Sequence, residues 1–219
     1  MKFVSVDKEG KETDQWVVFS IGGGALAEES DGASSVNTPD VYSMNSMTEI
    51  LQWCERTGKS YWEYVKECED SDIWDYLQEV WKTMQNAVKR GLEQEGVLPG
   101  PLNLRRKAST YYIRASGYKQ SLQSRGLVFA YALAVSEENA SGGVIVTAPT
   151  CGSCGVMPAV LYHLAKSREF SDTRILRALA TAGLVGNIVK TNASISGAEV
   201  GCQGEVGVAC AMASAAANQ

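Results

Sequence analysis

Asp72-Ile-Trp-Asp-Tyr-Leu-Gln-Glu-Val-Trp-Lys-Thr-Met-Gln-Asn-Ala-Val-Lys-Arg-Gly-Leu-Glu-Gln-Glu95 is the stretch whose reading decides the architecture. Ile73, Tyr76, Leu77, Val80, Met84, Val88 and Leu92 recur at steps of three and four, the spacing that one face of an α-helix presents. The stripe stops before Gly96 and the breaker Pro99-Gly100-Pro101. A helix with one apolar face needs other elements to cover it, and the flanking sequence supplies more helices. Upstream, Ser46 with Glu49 and Ser60 with Glu63 fit the capping box, in which a hydroxyl and a carboxylate answer the free amides of a first turn.

Downstream, helices are predicted over 103–121, 125–139, 154–168, 172–191 and 203–217, with one short strand-like run at Val144-Ile-Val-Thr147. Ala178 to Val189 and Val206 to Ala217 consist largely of Ala, Gly, Val and Leu. Such helices belong inside a bundle of closely approaching backbones. At the other end, residues 2–6 and 16–20 are rich in Val and Phe and read as two strands joined by a turn. The fold class is mainly α: a helical bundle with a short β remnant at the N-terminus. Three units follow, a β portion over 1–29, a polar linker over 30–42 and a helical domain over 43–219.

Composition narrows the function. The 219 residues, 45% hydrophobic, can bury one core with a short appendage. No apolar run reaches the length of a membrane span, and the N-terminus has no hydrophobic signal region, so a cytoplasmic chain is expected. Six cysteines without an export signal then read as thiols or metal ligands. Residues 1–100 carry 9 basic and 19 acidic side chains, and residues 101–219 carry 11 and 6. The basic groups Arg105, Arg106, Lys107 and Arg114 form one short cluster without a reader motif, so no nucleic-acid partner is expected.

Three segments could carry chemistry. Asn192 to Cys210 packs hydroxyls, carboxylates, glycines and two thiols between two apolar helices. Glycines let a backbone approach a ligand, and a thiol at a helix start, as Cys202 would be, has its thiolate stabilised by free amides. The same composition also suits a tight turn with buried cysteines. Val144 to Val160 places Cys151-Gly-Ser-Cys154 at the opening of a helix, open to a thiol–disulfide site, a four-cysteine metal site with Cys202 and Cys210, or a ligand-facing helix start with incidental thiols. Gly22-Gly-Gly24-Ala-Leu-Ala27 formally fits a dinucleotide fingerprint, but the acidic sequence after it is no phosphate-binding helix. His163 reads as a surface or packing residue, and Cys54, Cys68 and the tryptophans at 53, 62, 74 and 81 read as packing residues.

Leu98-Pro-Gly-Pro-Leu102 with Arg105-Arg106, Ser136-Glu-Glu-Asn-Ala-Ser-Gly-Gly143 with Val146-Thr-Ala-Pro-Thr150, and Lys190-Thr-Asn-Ala-Ser-Ile-Ser-Gly-Ala-Glu-Val-Gly-Cys-Gln-Gly-Glu-Val-Gly-Val-Ala-Cys210 stand in one order. Together they resemble the catalytic α domain of iron–sulfur-dependent L-serine dehydratases, and residues 1–29 resemble the end of the family's regulatory β domain. The resemblance implies a lyase that converts L-serine to pyruvate and ammonia, working as a homodimer. It also implies a 4Fe-4S cluster held by three cysteines, with one iron open as a Lewis acid. Cys202 matches the first of those ligands; the other two are expected downstream of Gln219, so this chain alone is expected to hold no intact cluster and to be inactive. Cys151 stands where the family more usually has asparagine, so neither it nor Cys154 is carried over as a ligand. Asn139, Thr147, Thr150 and Gly152 are expected to line the pocket, with Lys190 and Asn192 orienting the substrate carboxylate or its loop. Ser194, Ser196 and Glu199, with Glu205 beside them, are the candidates for the proton-accepting group.

Overall fold

The computed structural model describes residues 1–22, 25–28 and 41–219. The N-terminal strands pair as expected. β1 (Lys2–Val6) and β2 (Glu12–Gly22) run antiparallel, with Lys2 opposite Val17 and Phe3 opposite Trp16. A third strand, β3 (Ala25–Glu28), adds to the other edge of β2 and was absent from the sequence reading. It includes the second half of the glycine motif, so Ala25 to Ala27 are strand and not the start of a phosphate-binding helix; Gly23 and Gly24 lie outside the described residues. Of the linker interval, residues 30–40 also lie outside them, while Tyr42 packs onto the helical core.

Eight helices follow among the described residues. α1 (Met47–Thr57) and α2 (Tyr61–Cys68) start at the two expected boxes. The Ser46 amide donates to Glu49 Oε2 at 3.2 Å, and the Ser60 amide donates to Glu63 Oε2 at 2.9 Å. α3 (Ile73–Glu93) buries Leu77, Trp81, Met84, Ala87, Val88 and Gly91. Of the expected stripe Leu77, Met84 and Val88 are buried, Ile73, Val80 and Leu92 are half-buried, and Tyr76 is exposed, so the buried face is turned toward Trp81, Ala87 and Gly91. α4 (Ala108–Ser116), α5 (Gln120–Ala140), α6 (Val156–Arg168), α7 (Asp172–Asn192) and α8 (Gly197–Asn218) complete the bundle.

α3, α6 and α8 pack on α5, α7 or one another around a core that includes Val88, Val135, Met157, Leu161, Ile175, Leu184 and Met212. Gly91 sets the closest approach: a Cβ built there would lie 2.2 Å from the carbonyl oxygen of Ala134, so only glycine lets α3 and α5 meet this tightly. No helix among the described residues is long and apolar enough to cross a membrane.

Three expectations need correction. Val144 to Thr147 is not a strand but an irregular connection, since it has no described neighbour to pair with. The helix expected from 103 begins at Ala108, where the buried Glu137 carboxylate accepts from the amides of Lys107 (2.6 Å) and Ala108 (3.2 Å) and so fixes the start. α8 is not buried on all sides: Val208, Ala209, Met212, Ala213 and Ala216 are inside, while Val206 is exposed.

Candidate active site

The approach to α8 is built by short polar side chains. Asn192, the last residue of α7, donates through Nδ2 to the carbonyls of Asn45 (2.6 Å) and Ile188 (2.9 Å). Its amide thus closes a helix end and ties it to residue 45. Ser194 Oγ accepts from the Ser196 amide at 3.0 Å, and Ser196 Oγ caps α8 by accepting from the Ala198 amide at 3.3 Å. Both hydroxyls shape the turn. Glu199 lies exposed in the first turn of α8.

The helix is interrupted at once. Gly201 has φ 69° and ψ 175°, a conformation essentially restricted to glycine. Cys202 therefore stands at the start of a helical segment, although the sequence reading ran that helix over 203–217 and α8 as a whole begins at Gly197. The first amides of the new segment have no partners within it, and the Cys202 thiol is exposed.

A second piece of chain meets α8 here. The short 3-10 turn Cys151–Ser153 packs against α8. Asn139 Nδ2 on α5 donates to the Cys151 carbonyl at 3.1 Å, and the hydroxyls of Thr150 and Ser153 lie 3.1 Å apart. A Cβ at Gly152 would come within 2.8 Å of Glu205 Oε2, and one at Gly197 within 2.7 Å of Glu205 Cδ. The Glu205 carboxylate is thus held between two glycines, one from each loop, three residues beyond Cys202.

The thiol pair at 151 and 154 is split. Cys151 is exposed, whereas Cys154 is buried and burial pushes its thiol up to about 11. A disulfide-exchanging pair requires an accessible, acidified thiolate, and the Cys154 environment works against that.

Thr147 and Lys190 line a cavity of about 390 Å³ between α3, α7 and the 146–149 segment. Most of its wall is apolar, with Leu77, Met84, Leu179 and Met212 contributing; Tyr42, Glu69 and Asn187 add polar groups. Tyr42 donates to Glu69 Oε1 at 2.6 Å, and burial together with that carboxylate raises the phenol well above its ordinary range. Asn139, Thr150, Gly152 and Cys202 lie outside this wall, around the turn that touches α8. The sequence-predicted residues therefore occupy two neighbouring places on the fold.

A charged group that the sequence reading did not assemble holds the connection leading to Thr147. Arg90 donates to the buried Glu138 carboxylate at 2.8 Å and to the Val144 carbonyl at 2.6 Å. Arg106 donates to Ser141 Oγ, and its Nη1 lies 3.6 Å from Glu138 Oε1. The available signal was Glu137-Glu138 at the end of an apolar helix with Arg105-Arg106 elsewhere in the chain.

Cys202, exposed at a helical start, fits one thiolate ligand of a metal centre. Among the described residues no three His, Cys, Asp or Glu side chains gather in a way that could hold a metal ion, so Cys151, Cys154, Cys202 and Cys210 do not form a four-thiol set.

Comparison with known proteins places this geometry. A family model described as serine dehydratase alpha chain matches residues 12–219. The chain is 45% identical over 211 residues to L-serine dehydratase 1 of Escherichia coli, covering 90% of this chain and 46% of that protein. It is 41% identical over 228 residues to the L-serine dehydratase of Haemophilus influenzae, covering 98% and 50%, and 40% identical over 228 residues to that of Streptomyces coelicolor, covering 99% and 50%. The chain spans about half the length of these relatives. With the two loops that meet at Glu205 falling inside the matched region, the chain belongs to the serine dehydratase alpha chain family.

Proposed function

We propose that this chain is a catalytic part of an L-serine ammonia-lyase, which dehydrates L-serine to an aminoacrylate that water then hydrolyses, giving pyruvate and ammonia. The observation that carries the reading is the meeting of the Cys151–Ser153 turn and the Ser194–Gly197 loop on the helical segment that Cys202 opens. Two glycine-bearing loops meet the Glu205 carboxylate three residues beyond the exposed Cys202 thiol, and their glycines let the backbone of each come close to it.

The reaction has two hard parts, loss of a weakly acidic α-proton and departure of hydroxide. In this reading Cys202 is one ligand of a 4Fe-4S cluster whose remaining ligands come from outside the described residues. When bound, the cluster supplies Lewis-acid stabilisation of the leaving oxygen. The chain's own residues hold the substrate. Lys190 is the cation available to a carboxylate, and Thr147 and Thr150 are hydroxyl donors on the segment that Asn139 anchors. Ser194 and Ser196, whose oxygens accept backbone amides, frame the loop. Cytoplasmic location and a homodimer belong to the same reading.

The test is anaerobic reconstitution of the full-length parent with iron and sulfide, followed by a pyruvate assay with L-serine. Serine-dependent pyruvate is expected, and is expected to vanish in Cys202→Ser. This chain alone, similarly treated, is expected to give none. A reconstituted parent that binds iron but makes no pyruvate from serine refutes the reading.

A further inference from the structure

We infer that Glu205 is the group that takes the α-proton from the substrate, an inference that rests on the serine ammonia-lyase reading. Four side chains near Cys202 could in principle do so. Ser194 and Ser196 already accept backbone amides at 3.0 and 3.3 Å. Glu199 is exposed on the short segment before the Gly201 break. Glu205 is half-buried, lies on the same segment as Cys202, and is three residues from it, the spacing that puts two side chains on one helical face.

Its surroundings favour chemistry over packing. A methyl group at Gly152 would lie 2.8 Å from Oε2, and one at Gly197 would lie 2.7 Å from Cδ. Both loops keep glycine where any larger residue would displace the carboxylate. No cation or hydrogen-bond donor among the described residues engages it. A carboxylate drawn partly out of water without a partner lowers stability, a cost that packing alone gives no reason to keep.

The step balances within the substrate. Glu205 takes the Cα proton, the electron pair left behind forms the Cα–Cβ double bond, and the Cβ–O bond breaks with oxygen leaving as hydroxide. Hydroxide with the proton later released by Glu205 makes water. The aminoacrylate tautomerises to the imine, which water hydrolyses to pyruvate and ammonia.

The experiment uses the reconstituted full-length parent with Glu205→Gln and Glu205→Ala. Removing a general base is expected to lower kcat by about 100-fold or more, while calorimetry gives a serine Kd within about threefold of the parent's, as expected where an interaction made only in the transition state is lost. Formate, a small carboxylate, is expected to restore part of the turnover in Glu205→Ala, a response that a purely structural role would not give. Near-parental kcat in Glu205→Gln overturns the inference, as does a folded, serine-binding Glu205→Ala that formate leaves inactive. If Glu205→Gln does not fold, Glu205→Asp decides: a folded variant with undiminished kcat overturns the inference, and one with kcat about tenfold or more lower supports it. A parent that makes no pyruvate refutes the lyase reading instead, so the two failures are told apart.

Discussion

Arg90 on α3 reaches across the bundle to the carboxylate of Glu138 on α5, with Nε 2.8 Å from Oε2. Glu138 is 7% exposed, and the second arginine beside it, Arg106, is 8% exposed. Removing the carboxylate leaves Arg106 buried with no countercharge, so Glu138→Ala is expected to lower stability by about 3–5 kcal/mol. Arg90, 40% exposed and open to solvent screening, is expected to matter less, with Arg90→Ala losing about 1 kcal/mol. Urea unfolding followed by tryptophan fluorescence measures both, and equal losses would show that the lock is not centred on Glu138.

Gly91 offers a cleaner test of packing. A single methyl group there would lie 2.2 Å from the Ala134 carbonyl oxygen, a backbone atom that cannot rotate aside. Gly91→Ala is therefore expected to lose about 1–3 kcal/mol through forced separation of α3 and α5. The intrinsic helix preference for alanine would by itself give the opposite sign, about 1 kcal/mol in its favour. A stabilised variant would mean that the two helices are not in this contact.

Thiol labelling reads burial directly. Iodoacetamide at pH 8 is expected to modify the exposed Cys151, Cys202 and Cys210 first, as followed by mass spectrometry. Cys154, buried and with its thiol pushed up to about 11, is expected to react only on unfolding. Equal rates at 151 and 154 would contradict the buried position of the second thiol.

His163 gives a pH dependence. Burial lowers its folded pKa below the ordinary value near 6.5, and its Nε2 lies 2.6 Å from Ser124 Oγ. The unfolded chain then binds the proton more readily than the folded one. Its contribution is whole above the unfolded pKa and is lost as pH falls below about 6.5. Melting temperatures at pH 7.5 and 5.5 are expected to differ less in His163→Gln than in the parent chain; an unchanged difference would remove His163 as a cause.

The fold was legible where the determinants are local. The stripe from Ile73 to Leu92 and the boxes at Ser46 and Ser60 act within one or two turns, and the helices start and run as read. It was illegible where partners lie far along the chain. The start of α4 is set by Glu137, 29 residues after Ala108, and nothing near 103 announces it. β3 is hidden in a glycine-rich segment whose pairing partner decides its state. Of the candidate site, the motifs singled out the segments around Cys151 and Cys202 separately, and only the coordinates bring Gly152 and Gly197 to one carboxylate. Glu205 was one acid among several in the sequence.

The backbone of Gly201 also changes how α8 should be counted. On an uninterrupted cylinder Glu199, Cys202 and Glu205 would form one row, each three positions apart. The irregular residue resets the angular phase, so the row begins afresh at Cys202 and Glu199 drops out of it. A helical wheel drawn through 197–218 as one cylinder would therefore place Glu199 wrongly with respect to everything after Gly201.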